Sequence, residues 1–162
     1  MKGSEAAKAI DAGAGELDMV INRSFLKKTH YSEVFADVAA VRNVAPAPII
    51  LKVILETSQL SRYEIIAGCK VAEAARADFV KTSTGFNGEG ATPENVRLMK
   101  SVVGDGMKVK ASGGVKTVSD CVAMMLAGAE RIGTSNGVGI MEEAQAMLES
   151  ATHQAAMKVA KA

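Results

Sequence analysis

Tryptophan is absent from this 162-residue chain, and aromatic residues make up only 4% of it. That scarcity argues against a base-stacking platform and against a tyrosine-rich recognition surface. Charge of one sign is also missing. Nineteen Lys and Arg stand against eighteen Asp and Glu, a formal net charge of +1. So even a balance demands no nucleic-acid partner and supplies no acidic tail. Two cysteines, Cys69 and Cys121, sit far apart in Ala- and Met-rich stretches. They form neither a disulfide framework nor a Cys-x-x-Cys site, so both read as reduced, buried small hydrophobes. No run approaches the ~18 apolar residues of a membrane span, and residues 1–5 lack a signal peptide's apolar centre. The expected setting is cytoplasmic.

What is present is alternation. Short β-branched runs at Glu16–Asn22, Ile49–Glu56, Asp78–Thr84, Lys108–Ser112 and Arg131–Ser135 read as strands covered on both faces. Amphipathic patterns near 25–40, 58–76, 92–104 and 117–128, with more at both ends, read as helices. Thr92-Pro93-Glu94 and Thr117 to Asp120 carry helix-start chemistry. Such alternation predicts one α/β domain, 1–162, built of βα units around a parallel sheet.

The units repeat. Lys52, Lys81 and Lys110 each follow an apolar strand residue at steps of 29. Extending the series to Asp18 and Ser135 gives about 29 residues per unit, and eight such units need about 234 residues, the size of a TIM barrel. Room for about five strands leaves either an open sheet or part of a barrel.

A lysine inside an apolar strand is costly unless it is neutral or paired. Lys81, in Phe79-Val80-Lys81-Thr82-Ser83-Thr84-Gly85, sits near the strand's C-terminal end, where parallel α/β folds place their chemistry. Burial and a neighbouring cation both lower a lysine's pKa, and Lys110 is placed to be that cation. A neutral amine in a dry pocket is what Schiff-base formation requires. Alone, Lys52 reads as a strand lysine reaching for the sheet edge. His30 and His153 lack ligand spacing and read as surface residues, and Met124-Met125-Leu126 reads as helix packing. Glu56 closes its strand, either as a plain terminator or facing the site.

Five segments, in order, resemble the 2-deoxyribose-5-phosphate aldolase family: Gly15 to Val20, Ile50 to Thr57, Lys81 to Gly85, Lys110 to Thr117 and Arg131 to Gly137. The resemblance implies a partial TIM (β/α) barrel and a class I lyase working without a metal or organic cofactor. It implies a phosphorylated sugar as substrate, cleaved reversibly to acetaldehyde and D-glyceraldehyde 3-phosphate in deoxynucleoside breakdown. Lys81 would carry the Schiff base. Lys110 would tune it and move protons, with Asp18 completing the relay. Gly85, Gly113, Gly114, Val115, Lys116, Gly133, Ser135 and Asn136 would hold the phosphate, because glycine turns and helix N-termini present free N–H groups to anions.

The sequence departs from the family at Phe86, where some members have a phosphate-contacting lysine, and at Asn136, where serine is common. The family's first three strands have no counterpart, so the expectation is an N-terminally truncated barrel with two unpaired strand edges, prone to self-association as a homo-oligomer. Opening the interior to water would also restore lysine hydration and cut the neutral amine. The alternative is an impaired fragment acting only as a subunit or interaction module.

Overall fold

The computed structural model describes the backbone of residues 1–159 and side chains through 153. Five strands, β1 (Glu16–Val20), β2 (Ile50–Ile54), β3 (Phe79–Lys81), β4 (Lys108–Ser112) and β5 (Arg131–Gly133), form one all-parallel sheet in sequential order. Seven α-helices accompany them among the described residues: α1 (Lys2–Asp11), α2 (Arg23–Lys27), α3 (Tyr31–Val44), α4 (Arg62–Ala74), α5 (Pro93–Val103), α6 (Val118–Leu126) and α7 (Gly137–Val159). This is a partial TIM barrel with β1 and β5 as its edges.

Side chains alternate across each strand, so one face takes the apolar set and the other takes the rest. Met19, Leu51, Val53, Val80, Val109 and Ala111 turn outward into the core. There they meet Val34, Val38 and Val41 of α3, Ile65, Cys69 and Ala72 of α4, and Val96 and Met99 of α5. A fully buried Leu or Val contributes about 1.5–3 kcal/mol, so this outer layer carries the fold's stability. The alternate positions, Glu16, Asp18, Lys52, Phe79, Lys81, Lys108, Lys110 and Arg131, line the concave face.

Helix starts follow local chemistry. Thr92 accepts from Asn95 N–H with Pro93 in the first turn, and Thr117 with Asp120 closes a capping box. The single helix expected over 25–40 is two. The Asn22 side chain caps α2 by accepting from Phe25 N–H, and Thr29, at φ +58°, breaks the chain before α3 begins. Strand ends are also shorter than their apolar runs, because ladder pairing stops where the loops leave the sheet. Cys69 is fully buried, which pushes its thiol up to about 12, whereas Cys121 is only half-buried. Of the run at 124–126 only Met124 packs; Met125 and Leu126 are exposed. His30 and His153 are exposed, as expected. No helix among the described residues is long and apolar enough to cross a membrane.

Candidate active site

Register decides which concave side chains meet. Lys81 and Lys110 are direct partners across β3 and β4, so their side chains emerge side by side. Lys52 does not share their level. It pairs with Phe79 and, on its other side, with Asp18, one pleat step nearer the strand N-termini. The regular step of 29 therefore conceals a stagger, as barrel shear requires.

That stagger lets one carboxylate reach three amines. Asp18 accepts from Lys52 Nζ at 2.7 Å on Oδ1, and from Lys81 Nζ at 2.7 Å and Lys110 Nζ at 3.3 Å on Oδ2. Burial works against its charge, but the hydrogen bonds from Lys52 and Lys81 and the charge of Lys110 outweigh that and hold the carboxyl far below its usual range. Lys52, almost wholly buried, is shared with Glu16 at 2.7 Å. Glu16 also accepts from Arg131, which joins the two edge strands across the concave face. The Arg131 and Lys52 contacts draw the Glu16 carboxyl down to about 2.

The cluster holds four cations, Lys52, Lys81, Lys110 and Arg131, against two carboxylates. Excess positive charge favours loss of a lysine proton and welcomes an anion. Lys110 responds accordingly. Burial and the charges of Lys81 and Lys52 lower its pKa, while Asp18 pulls the other way. The curved sheet covers most of the Lys81 and Lys110 side chains, which are 12% and 16% exposed.

Above the lysines, at the strands' C-terminal ends, lies a cleft of about 590 Å³. Lys81, Lys110, Gly85, Gly113, Gly114, Val115, Lys116, Gly133 and Ser135 all line it. Asn136 lies outside this lining; its side-chain amide donates to Lys116 O at 2.8 Å and ties two loops together. Gly113 and Gly114 both have positive φ, and a Cβ on Gly113 would fall 2.9 Å from Gly90 Cα, so only glycine fits there. Thr84, Phe86, Ser112 and Thr134 also border the cleft. Sequence reasoning named Phe86 only as a departure from the family, and singled out neither Thr84, Ser112 and Thr134 nor the roles of Glu16 and Arg131. The available signal was their place, at strand ends, in the loops that follow them or, for Glu16 and Arg131, at strand starts.

A family model described as DeoC/LacD family aldolase matches residues 2–143. The chain belongs to the DeoC/LacD aldolase family. The deoxyribose-phosphate aldolase of Coccidioides immitis is 56% identical to this chain over 145 residues, covering 88% of the chain and 54% of the relative. That of Corynebacterium diphtheriae is 49% identical over 144 residues, covering 88% and 66%. A crystal structure from Coccidioides immitis superposes with a TM-score of 0.86 at 55% identity over 88% of this chain and 57% of that one. The deoxyribose phosphate aldolase of Aeropyrum pernix gives 0.79 at 34% identity over 89% and 61%. The chain thus spans about half to two thirds of the relatives it matches.

Proposed function

We propose that this chain carries the chemistry of a deoxyribose-phosphate aldolase, cleaving 2-deoxy-D-ribose 5-phosphate through a Schiff base on Lys81. The observation that carries the reading is the shared Asp18 carboxylate, within hydrogen-bond reach of both Lys81 and Lys110 beneath the glycine-lined cleft. The neutral Lys81 amine adds to the C1 aldehyde of the open-chain sugar, and the carbinolamine takes up a proton, from the Lys110 and Asp18 relay through water, and loses water to give a protonated imine. With the imine as electron sink, the C3 hydroxyl passes its proton to the Asp18 and Lys110 relay through water, and the C2–C3 bond breaks. D-Glyceraldehyde 3-phosphate leaves, and the two-carbon enamine stays on Lys81. Proton delivery to C2, by Lys110 and Asp18 through water, restores the imine, and hydrolysis frees acetaldehyde and the amine.

Each residue's surroundings support its part. Lys52 holds Asp18 from the far side, so Asp18 keeps an anchored carboxylate when Lys81 turns to substrate. The lowered pKa of Lys110 brings its proton nearer to transfer at neutral pH. Free N–H groups at the glycine turns and the Lys116 ammonium suit a phosphate.

The test is borohydride trapping with acetaldehyde on the 162-residue chain, followed by peptide mass mapping. Label on Lys81 alone is expected, and Lys81→Leu should abolish it. Label on Lys110 or Lys52 would reassign the nucleophile. A second reading has its own support in the unpaired edges of β1 and β5 and in the exposed Met125, Leu126 and Met141. There the chain self-associates, or serves as a subunit, without turnover. No label anywhere, with oligomers on sedimentation, would favour it.

A further inference from the structure

We infer that Glu56 is a positioning residue that decides which backbone amides of the loop after Lys81 remain free for an anionic substrate group. The inference rests on the phosphate role proposed for Gly85. Glu56 stands at the exit of β2, two residues beyond Ile54, with 1% of its surface exposed. An ionised side chain so deeply buried is costly unless its oxygens are fully used. They are used, and by a single loop. Glu56 accepts from Thr84 N–H at 3.1 Å, from the Thr84 hydroxyl at 2.5 Å and from the Asn87 side-chain amide at 3.2 Å. Those bonds outweigh burial and keep its carboxyl below the ordinary range. Its backbone adopts φ +62°, an uncommon conformation for a residue with a β-carbon that persists only when the surroundings over-determine it. Ser58 adds a second tie, its hydroxyl donating to Asn87 O at 2.7 Å.

The consequence lies in the order of the loop's donors. Thr84 N–H is taken by Glu56. Phe86 N–H is taken by the Thr84 hydroxyl oxygen at 3.2 Å, and that oxygen is oriented because its own proton points at Glu56. Between them, Gly85 N–H donates to no acceptor among the described residues, and Gly85 borders the cleft above Lys81 and Lys110. One carboxylate thus spends both flanking amides and leaves the middle one for a ligand. A plain strand terminator would need no such pattern.

Inorganic phosphate is the probe, titrated into the ¹⁵N-labelled 162-residue chain. In the unsubstituted chain the Gly85 amide should shift saturably. Glu56→Gln turns an NH₂ group against the Thr84 and Asn87 donors, and should weaken phosphate about tenfold, the scale of one hydrogen bond to a charged group. The Thr84 and Phe86 amides should move with it, while Val80 and Val109 in the sheet stay put. Thr84→Val cuts the same bridge from its other end and should give a similar loss. The double variant should then be no worse than either single one. Unchanged phosphate affinity in Glu56→Gln and Thr84→Val would overturn the inference. So would a Gly85 amide indifferent to phosphate in the unsubstituted chain, or losses accompanied by shifts at Val80 and Val109. Trapping of acetaldehyde on Lys81 involves no phosphate. A chain that binds phosphate through Gly85 but traps nothing would refute the aldolase reading and leave the role of Glu56 standing.

Discussion

The two faces of this sheet use the same strands for opposite ends. The outer face of β2 and β3 places Leu51, Val53 and Val80 against helices with no surface left exposed. The inner face of the same strands places Lys52 and Lys81 against one another's counter-ion, Asp18. Apolar contacts need only volume and proximity, so the outer layer is complete within this chain. Charged groups need partners at set distances and a controlled share of water, so the inner face depends on whatever else borders it. Stability and chemistry are thereby separated by a single-residue alternation.

The largest expected effect sharpens this division on the inner side. Asp18→Asn removes a relay carboxylate and the charge of its pair with Lys81, but leaves the nucleophilic amine itself in place. The Lys81 adduct should still form under borohydride, whereas proton exchange at the acetaldehyde methyl carbon should slow by about two orders of magnitude or more. Mass spectrometry in deuterium oxide reads the exchange directly. Full exchange in Asp18→Asn would show that the relay lies elsewhere.

Much of this division was legible beforehand. Short, mostly apolar β-branched runs placed all five strands, and Thr92-Pro93 and Thr117 placed the starts of α5 and α6, because those signals are local. The neighbouring of Lys81 and Lys110 followed from equal spacing in a parallel sheet. What stayed hidden depends on curvature. Glu16 and Arg131 are far apart in sequence and meet only because the sheet bends its edges toward each other. Lys52 sits a step away from its apparent equivalents because strands in a barrel are sheared. Glu56 ends an apolar run, and nothing in the run reveals that its three donors lie 28 and 31 residues later.

A second test weighs the faces against each other in stability. Leu51→Ala deletes a fully buried outer-face side chain and should cost about 2–5 kcal/mol, the range for Leu to Ala in a packed core. Lys108→Met, on the inner face with its ammonium 5.8 Å from the Phe79 ring centre, should change stability by about 0.5 kcal/mol or less. Urea unfolding measures both, with the slope held constant as the check on two-state behaviour. Comparable losses from the two substitutions would erase the distinction between the faces.

The smallest effect concerns the ion pair that spans the concave face. Glu16 has its pKa drawn from 4.5 to about 2 by Arg131 and Lys52, so the folded state favours its ionised form. A group with a depressed folded pKa contributes stability that is complete above its unfolded value and fades as pH falls through the folded one. The Glu16 contribution should therefore be whole above pH 4.5 and lost on descending toward 2. Because its side chain is 38% exposed, solvent and salt screen the pair, and the effect should shrink further as ionic strength rises. Thermal melts of the chain and of Glu16→Gln, taken across that window at low and high salt, isolate it. The two Tm curves should converge at the acid end and separate slightly above pH 4.5 at low salt. Parallel curves throughout would mean that the contact between β1 and β5 adds nothing to holding the sheet's curvature, which the outer-face packing would then maintain alone.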